Sequence, residues 1–318
     1  MTATTPGGTS ERRFSWLLLV VALLAAAWLV RSALRRAPPA TLAARELDLT
    51  SAVPPGPELV VTADVAALSP AVALELLNAG GSSLLGLREL CGFEPLLGLR
   101  RLVFAMPFRR ADAPGAADFA LIAATSFEPE PVLRCAEAVI RKRGGTPLRS
   151  HLGRFTSVRD QQKPVGEVAI RADGLFVLSG GQYFRDVIDA ATGAPLGDEA
   201  SRLRSRVHAA IRRRLAPSQL VVTALPGAGL PLPGVQALGL GLELQSDVRL
   251  HGFVACPSAA GCDDARRLLE RMKADVSSEP ALAGLSSLTI VQRDAELELA
   301  GRLPKEQLAP LLSQLLSP

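Results

Sequence analysis

The chain has 318 residues, of which 48% are hydrophobic and 21% are charged, so it is long and apolar enough to fold around a core. Its net charge of +4 lies in residues 1–36, which hold five of the 35 basic and one of the 31 acidic residues. The rest of the chain is neutral and has one tyrosine, Tyr183, so it lacks the basic surface of a nucleic-acid-binding protein, and nucleic acid is excluded as a partner.

An uncharged apolar run at 14–30 reads FSWLLLVVALLAAAWLV. As a helix it is about 25 Å long, which is the lower limit for a membrane span. Trp16 and Trp28 would then lie near the two membrane interfaces. We therefore predict a transmembrane signal anchor that contacts the lipid bilayer. A cleaved signal peptide, a twin-arginine export signal and a buried helix of a soluble protein are the alternatives.

The orientation of this span follows from two opposing patterns. Basic residues near its ends favour a cytoplasmic domain, because the second flank carries more of them (Arg12 and Arg13 before the span; Arg31, Arg35 and Arg36 after it). A short polar N-terminus before one apolar helix is instead typical of an export anchor. We predict a single-pass protein of the bacterial inner membrane, with a cytoplasmic tail at 1–13 and a periplasmic C-terminal domain.

Four cysteines, Cys91, Cys135, Cys256 and Cys262, all lie beyond the predicted span. An even number of cysteines in an exported domain indicates disulfides. The favoured pairs are Cys91–Cys135 and Cys256–Cys262. The first ties the end of a helical stretch, SLLGLRELCGF, to a second helix that contains EPVLRCAEAVIRKR, and the second closes the short loop CPSAAGC. Buried thiols and a metal site that includes His251 are the alternatives, although the spacing matches no usual zinc pattern.

The domain organisation follows from composition and a short repeat. Residues 31–56 form a basic flank and a proline-rich stem, and the folded part begins at 57. The sequence LVVTA occurs at 59–63 and again at 220–224, each time shortly after a proline. We predict two related units, at 57–215 and 216–318.

Hydrophobic periodicity predicts the same order of elements in both units. Strands are predicted at 99–106, 117–126, 153–159, 165–171, 174–179, 236–245, 247–256, 286–293 and 295–302. Helices are predicted at 129–143, 182–192, 199–215, 262–275 and 304–316. Hairpins interrupted by helices indicate an α+β fold, with antiparallel or mixed sheets and helices packed on one face.

The helix predicted at 199–215 is rich in arginine, and its apolar residues repeat every four positions. A basic amphipathic helix is able to contact anionic lipid or an acidic protein partner of the envelope. A solvated helix face that leans on a core is the alternative. The candidate contact residues are Arg202, Arg206, Arg212, Arg213 and Arg214.

The sequence contains no linear pattern that indicates a catalytic, cofactor or metal site. The three histidines (His151, His208 and His251) form no His-x-x-x-His pair, and no glycine-rich segment has the spacing of a phosphate-binding loop. We therefore predict no catalytic, cofactor-binding or metal-binding residue, while recognising that a catalytic group could still assemble in space.

The anchor, the proline-rich stem and the strand segment LVVTADVAAL give the chain a layout that resembles uncharacterised bacterial envelope proteins with one N-terminal anchor and a duplicated α+β exported domain. The resemblance covers layout only and implies no activity. The predicted function is a membrane-tethered, non-catalytic binding or structural module of the cell envelope. The alternatives are an envelope hydrolase acting on lipid, glycan or peptide, and a carrier or sensor with an apolar groove between the units.

Overall fold

The computed structural model describes residues 48–67, 89–93, 98–107, 118–162, 166–181, 183–227, 234–244, 247–277 and 287–304. These residues all belong to a compact unit that spans Thr41–Pro318. The predicted membrane helix at 14–30 lies outside the described residues, as does almost all of the predicted helix at 304–316. Among the helices that are described, none has the length and apolar character that a membrane crossing requires.

The described elements follow the predicted order closely. The helices are α1 (Pro129–Lys142), α2 (Tyr183–Ala191), α3 (Glu199–Arg214) and α4 (Ala259–Ser277). The strands are β1 (Pro57–Asp64), β2 (Leu99–Pro107), β3 (Ala120–Thr125), β4 (Pro147–Leu152), β5 (Phe155–Asp160), β6 (Gly166–Arg171), β7 (Leu175–Gly180), β8 (Leu220–Ala224), β9 (Ala237–Leu244), β10 (Val248–Ala255), β11 (Thr289–Arg293) and β12 (Glu296–Leu303).

The twelve strands form one sheet in the order β11-β12-β10-β9-β8-β1-β2-β3-β7-β6-β5-β4. Each neighbouring pair in it is antiparallel. The predicted α+β class with antiparallel pairing is therefore confirmed. The structure has one continuous sheet that carries both predicted units, because β1 of the first pairs directly with β8 of the second.

The two copies of LVVTA pair with each other at the centre of this sheet. Val61 lies opposite Val222, and the register extends to Leu59 opposite Ala224 and Ala63 opposite Leu220. Outward from this pair the strands run in matching order, β1-β2-β3-β7-β6 on one side and β8-β9-β10-β12-β11 on the other. The central pair is thus related by a local two-fold axis through Val61 and Val222.

Helices cover both faces of the sheet, which corrects the prediction that they pack on one face. We call face A the side that carries Val60, Ile122 and Val177, where α2 packs. Face B is the side that carries Val158 and Ile170, where α1 packs. The second half repeats this division, because α3 packs on Val221 and Phe253 of face A, whereas α4 packs on Val254 and Leu297 of face B.

The physical reason is that the central strands are apolar on both sides. In β7, Leu175 and Val177 point to face A, whereas Phe176 lies among the residues of face B. Side chains alternate across a strand, so a continuous apolar run needs cover on both faces. A helix on one face only would leave the other apolar row in water.

The end of the predicted stem also differs from expectation, because it belongs to the folded unit. A short 3-10 helix at Leu49–Ala52 begins at Asp48, whose side chain accepts a hydrogen bond from the Thr50 backbone N–H. Leu49 and Ala52 are buried in the core on face A. The last residues of the segment 31–56 that was predicted as a stem therefore pack in the folded unit.

One strand, β4, was not predicted from the sequence. It lies at the edge of the sheet and reads PLRSHL, so it begins with proline and lacks an apolar run. It is held to β5 by the sheet ladder and to α1 by Arg149, which bonds Glu130 at 2.9 Å and also binds Glu137. These contacts are non-local and leave no pattern in the segment itself.

Candidate functional site

A cavity of about 640 Å³ opens on face A between α2 and the outer strands β4 to β7. This volume is in the range of small-molecule sites. The sheet supplies its floor and α2 supplies one wall. Its lining residues are Ser150, Leu152, Arg159, Gly166, Glu167, Ser179, Gly181, Phe184, Arg185 and Asp186.

The lining of this α2 cavity carries two positive and two negative side chains. Arg159 and Glu167 lie opposite each other on β5 and β6, on the same face as the buried Ser157 and Ala169. Arg185 and Asp186 come from the first turn of α2. Polar groups of both signs that converge on a concave surface favour a ligand that also bears both charges.

Burial raises the pKa of Asp186 above its ordinary value, and the nearby charges of Asp189 and Asp118 act in the same direction. Desolvation and carboxylate neighbours both disfavour the charged form. A cationic group in the cavity would reverse this effect, because it would stabilise the Asp186 carboxylate. The charge state of Asp186 is therefore expected to respond to a cationic ligand group.

A second cavity of about 320 Å³ adjoins the first and shares Asp186 with it. Its wall includes Pro54, Pro55 and Gly56, which come from the end of the predicted stem, together with Tyr183 of α2. Burial raises the pKa of Tyr183, so its phenol stays protonated and remains a hydrogen-bond donor. Among the described residues, its buried hydroxyl makes no hydrogen bond.

Three of the five arginines predicted as contact residues on α3 form ion pairs with carboxylates. Arg202 and Arg206 lie 3.6 and 2.7 Å from Glu199 on the same helix. Arg214 forms two hydrogen bonds with Glu296 and lies 3.9 Å from the centre of the Phe253 ring. Arg212 and Arg213 form no ion pair within 4 Å among the described residues. The anionic contact therefore stays a prediction, with two residues as its strongest candidates.

The apolar stripe of α3 is buried at one end only. Ile211 and Leu215 pack with Val221 and Phe253, and Val207 packs against the same cluster. Leu203, at the other end of the predicted stripe, is 54% exposed. The apolar stripe of α3 therefore packs against the sheet through its C-terminal half.

The four cysteines form two disulfides in the favoured pairing, Cys91–Cys135 and Cys256–Cys262. The second is buried between β10 and α4 in the core of face B. The structure thus accounts for these cysteines without a metal site, and the described part of the chain holds no group of three or more potential metal ligands.

A serine and a histidine lie close together beyond the end of α3. Ser218 Oγ lies 3.3 Å from His251 Nε2, and His251 Nδ1 lies 3.9 Å from a carboxylate oxygen of Glu243. Gly241 leaves room for them, because a Cβ there would lie 2.4 Å from Ser218 Oγ. The serine hydroxyl, however, donates to the Leu215 carbonyl at 2.7 Å.

This hydrogen bond gives Ser218 a structural role. A hydroxyl has one proton, so a serine that donates it to Leu215 accepts from His251 and does not surrender its proton to it. The Ser218 backbone N–H bonds the same carbonyl at 3.1 Å. Both groups satisfy an end carbonyl of α3, which is a capping role. The geometry therefore does not supply an activated nucleophile.

A buried polar cluster lies where α3 crosses β1 and β8. His208 is 1% exposed and lies 2.7 Å from Thr223 Oγ1 and 3.0 Å from the Pro57 carbonyl. The Nε2–H must donate to that carbonyl, so Nδ1 accepts from Thr223. Burial lowers the pKa of His208 to about 4. This neutral histidine fits the interpretation of a packed side chain rather than a catalytic one.

Sequence reasoning missed the lining of the α2 cavity altogether. Arg159, Glu167 and Asp186 lie on three elements that the sequence places well, yet no spacing connects them. The available signal was weak: in β5 and β6, charged residues occupy positions on the same side as buried ones. That alternation marks a face that is only partly covered.

Solved structures of the protein TP0453 resemble this fold. Its crystal form III has a TM-score of 0.53 at 12% sequence identity, over 85% of this chain and 99% of that chain. Its crystal form I has a TM-score of 0.50 at 13% identity, over 86% and 99%. Identities this low show a shared fold alone. No protein-family model and no curated protein matches the sequence.

Proposed function

We propose that this chain is a non-catalytic binding module of the bacterial cell envelope, tethered to the inner membrane by residues 14–30, with its folded unit in the periplasm. The α2 cavity is the observation that carries the binding role, since its volume and its converging charges suit a small ligand. The two disulfides support an oxidising compartment. The engaged hydroxyl of Ser218 counts against the hydrolase alternative.

The charges of the cavity favour a polar ligand over the apolar cargo of a carrier. Two arginines and two carboxylates line it, whereas Leu152 and Phe184 are its large apolar residues. Burying apolar cargo against these ions would cost their hydration without replacing it. A short peptide with free amino and carboxyl ends offers one group for Asp186 or Glu167 and one for Arg159 or Arg185.

Isothermal titration of the full chain in detergent with defined dipeptides and tripeptides tests this role. Binding by the native chain that is lost in Arg159→Ala and Arg185→Ala supports the proposal. The matched control is Arg134→Ala, which removes an arginine that is paired with Glu130 on α1, on the opposite face. No binding by any member of the set, or equal loss in the control, would count against the cavity as a peptide site.

The compartment is tested separately by thiol blocking in intact membranes, followed by denaturing gels with and without reductant. Protection of all four cysteines until reduction supports a periplasmic unit. Alkylation of all four after denaturation alone would instead indicate a reducing compartment. It would also overturn the proposed topology.

A further inference from the structure

The second cavity is built by contacts that hold the segment before β1 against α3 and the loop that precedes α3. Pro55 and Gly56 belong to one of its walls. Gly56 donates its backbone N–H to Ser205 Oγ at 3.0 Å, and a Cβ on Gly56 would lie 2.9 Å from the Cβ of Ser201. A Cβ on Gly197 would likewise lie 2.9 Å from the Cβ of Pro55. Both glycines have positive φ, so the close approach that shapes this wall depends on backbone that glycine adopts readily.

The lining of the second cavity is mainly apolar. Its large apolar residues are Leu196, Tyr183 and the three prolines Pro54, Pro55 and Pro107. Because the ring of proline fixes φ, such a wall changes little when a ligand enters. The volume of about 320 Å³ is half that of the α2 cavity and lies near the lower limit for small-molecule sites. The second cavity therefore suits a single apolar side chain rather than a whole ligand.

Asp186 lies where the two cavities meet, because it lines both of them. Tyr183 comes three residues earlier on the same face of α2, so the second cavity lies beside this carboxylate. Among the described residues, the Asp186 carboxylate forms no ion pair and accepts no hydrogen bond. The charges that act on it belong to Asp118 and Asp189, which are both negative. A cationic group of a ligand at this junction would supply the partner that these residues do not.

A carboxylate beside an apolar cavity matches the first residue of a peptide, which carries an ammonium and a side chain on the same carbon atom. We infer that Asp186 binds the free α-ammonium of a peptide and that the second cavity takes the apolar side chain of the same residue. The rest of the peptide then extends into the α2 cavity, where Arg159 and Arg185 are available to its C-terminal carboxylate. This inference rests on the proposed peptide binding and adds the recognition of the first residue.

The test is isothermal titration of the full chain in detergent with Leu-Ala-Ala and Gly-Ala-Ala, each with a free and with an acetylated N-terminus. Acetylation removes the positive charge, so we expect it to raise the Kd of Leu-Ala-Ala by about tenfold or more. Gly-Ala-Ala has no side chain to place in the second cavity. Its Kd is expected to exceed that of Leu-Ala-Ala by about tenfold, because the burial of a leucine side chain is lost.

Two pairs of variants assign these effects to residues. Asp186→Asn is expected to remove the response to acetylation. Its matched control is Asp189→Asn, which removes an exposed carboxylate of the same helix that does not line either cavity and should keep the response. Leu196→Trp fills the second cavity and is expected to remove the preference for leucine over glycine. Leu203→Trp makes the same change at an exposed position of α3 and should keep that preference.

The comparison of peptides uses the native chain, so it tests the inference even if Leu196→Trp fails to fold. An affinity that acetylation leaves unchanged, or that is the same for leucine and glycine in the first position, would overturn the inference and leave the α2 cavity as a peptide site. Equal effects of Asp186→Asn and Asp189→Asn would also overturn it. Absence of binding by all of these peptides would overturn the proposed function and this inference together.

Discussion

His208 couples the stability of the fold to pH. Because burial lowers its pKa from 6.5 to about 4, the folded state binds fewer protons than the unfolded state between these values. Titration of His208 therefore leaves the free energy of unfolding unchanged well above pH 6.5 and lowers it as the pH falls from 6.5 towards 4. A shift of this size corresponds to about 3 kcal/mol.

We therefore predict that His208→Gln has a shallower decline in the free energy of unfolding between pH 6.5 and 4 than the native chain. Glutamine cannot gain a proton in this range and still reaches the Pro57 carbonyl. Urea unfolding at several pH values measures both slopes. Parallel curves for the native chain and His208→Gln would contradict the assignment.

The two disulfides are expected to contribute unequally. Cys91–Cys135 closes a separation of 44 residues and Cys256–Cys262 one of 6. Each disulfide stabilises the fold by restricting the unfolded chain. We expect a contribution of about 4 kcal/mol from the longer loop and about 2 kcal/mol from the shorter one. Urea midpoints of the two double Cys→Ala variants, each compared with the native chain, test the order. A larger loss for the short loop would show that packing of Cys256 and Cys262 in the core exceeds the entropic effect.

At the scale of elements, α3 is anchored by one half of its apolar stripe. Ile211 is 5% exposed and packs against Val221 and Phe253, whereas Leu203 is 54% exposed. We predict that Ile211→Ala lowers the free energy of unfolding by about 2–4 kcal/mol. Leu203→Ala should change it by less than about 0.5 kcal/mol. Equal effects in chemical denaturation would mean that the helix packs along its whole length.

The element predictions succeeded where periodicity is local and failed where contacts are remote. The described strands and helices between 99 and 303, other than β4, match their predicted ranges within a few residues, because alternation and helical spacing are properties of each segment. The edge strand β4 was missed, since its place depends on β5 and on Arg149. The 3-10 helix at Leu49–Ala52 was missed because its burial depends on a sheet assembled from distant strands.

At the scale of the whole molecule, the central pair β1–β8 joins the two halves in one sheet. Val60 and Thr223 lie opposite each other at this seam and are almost fully buried, and His208 bonds both Thr223 and the Pro57 carbonyl. Opening either half would expose this seam to water. The contacts of the β1–β8 pair are therefore expected to stabilise both halves.

We predict that β3 and β10, one strand from each half, lose protection against hydrogen exchange at the same urea concentration. Mass spectrometry of peptides from the two strands measures this directly. Separate midpoints would mean that the predicted units at 57–215 and 216–318 unfold independently despite their common sheet. Coincident midpoints would mean that the two predicted units are repeats in the sequence that unfold together as one unit.

By itself, the sequence determined the order of the described strands and helices other than β4 and the 3-10 helix, and the neutrality of the folded part, since these follow from local periodicity and composition. It also favoured the cysteine pairing that the structure shows. The tertiary structure decided that helices cover both faces, that Arg202, Arg206 and Arg214 are paired with carboxylates, and that Arg159, Glu167 and Asp186 meet in one cavity. Each of these outcomes depends on which distant segments become neighbours. The contacts that decide these outcomes form only when the sheet brings remote segments of the chain together.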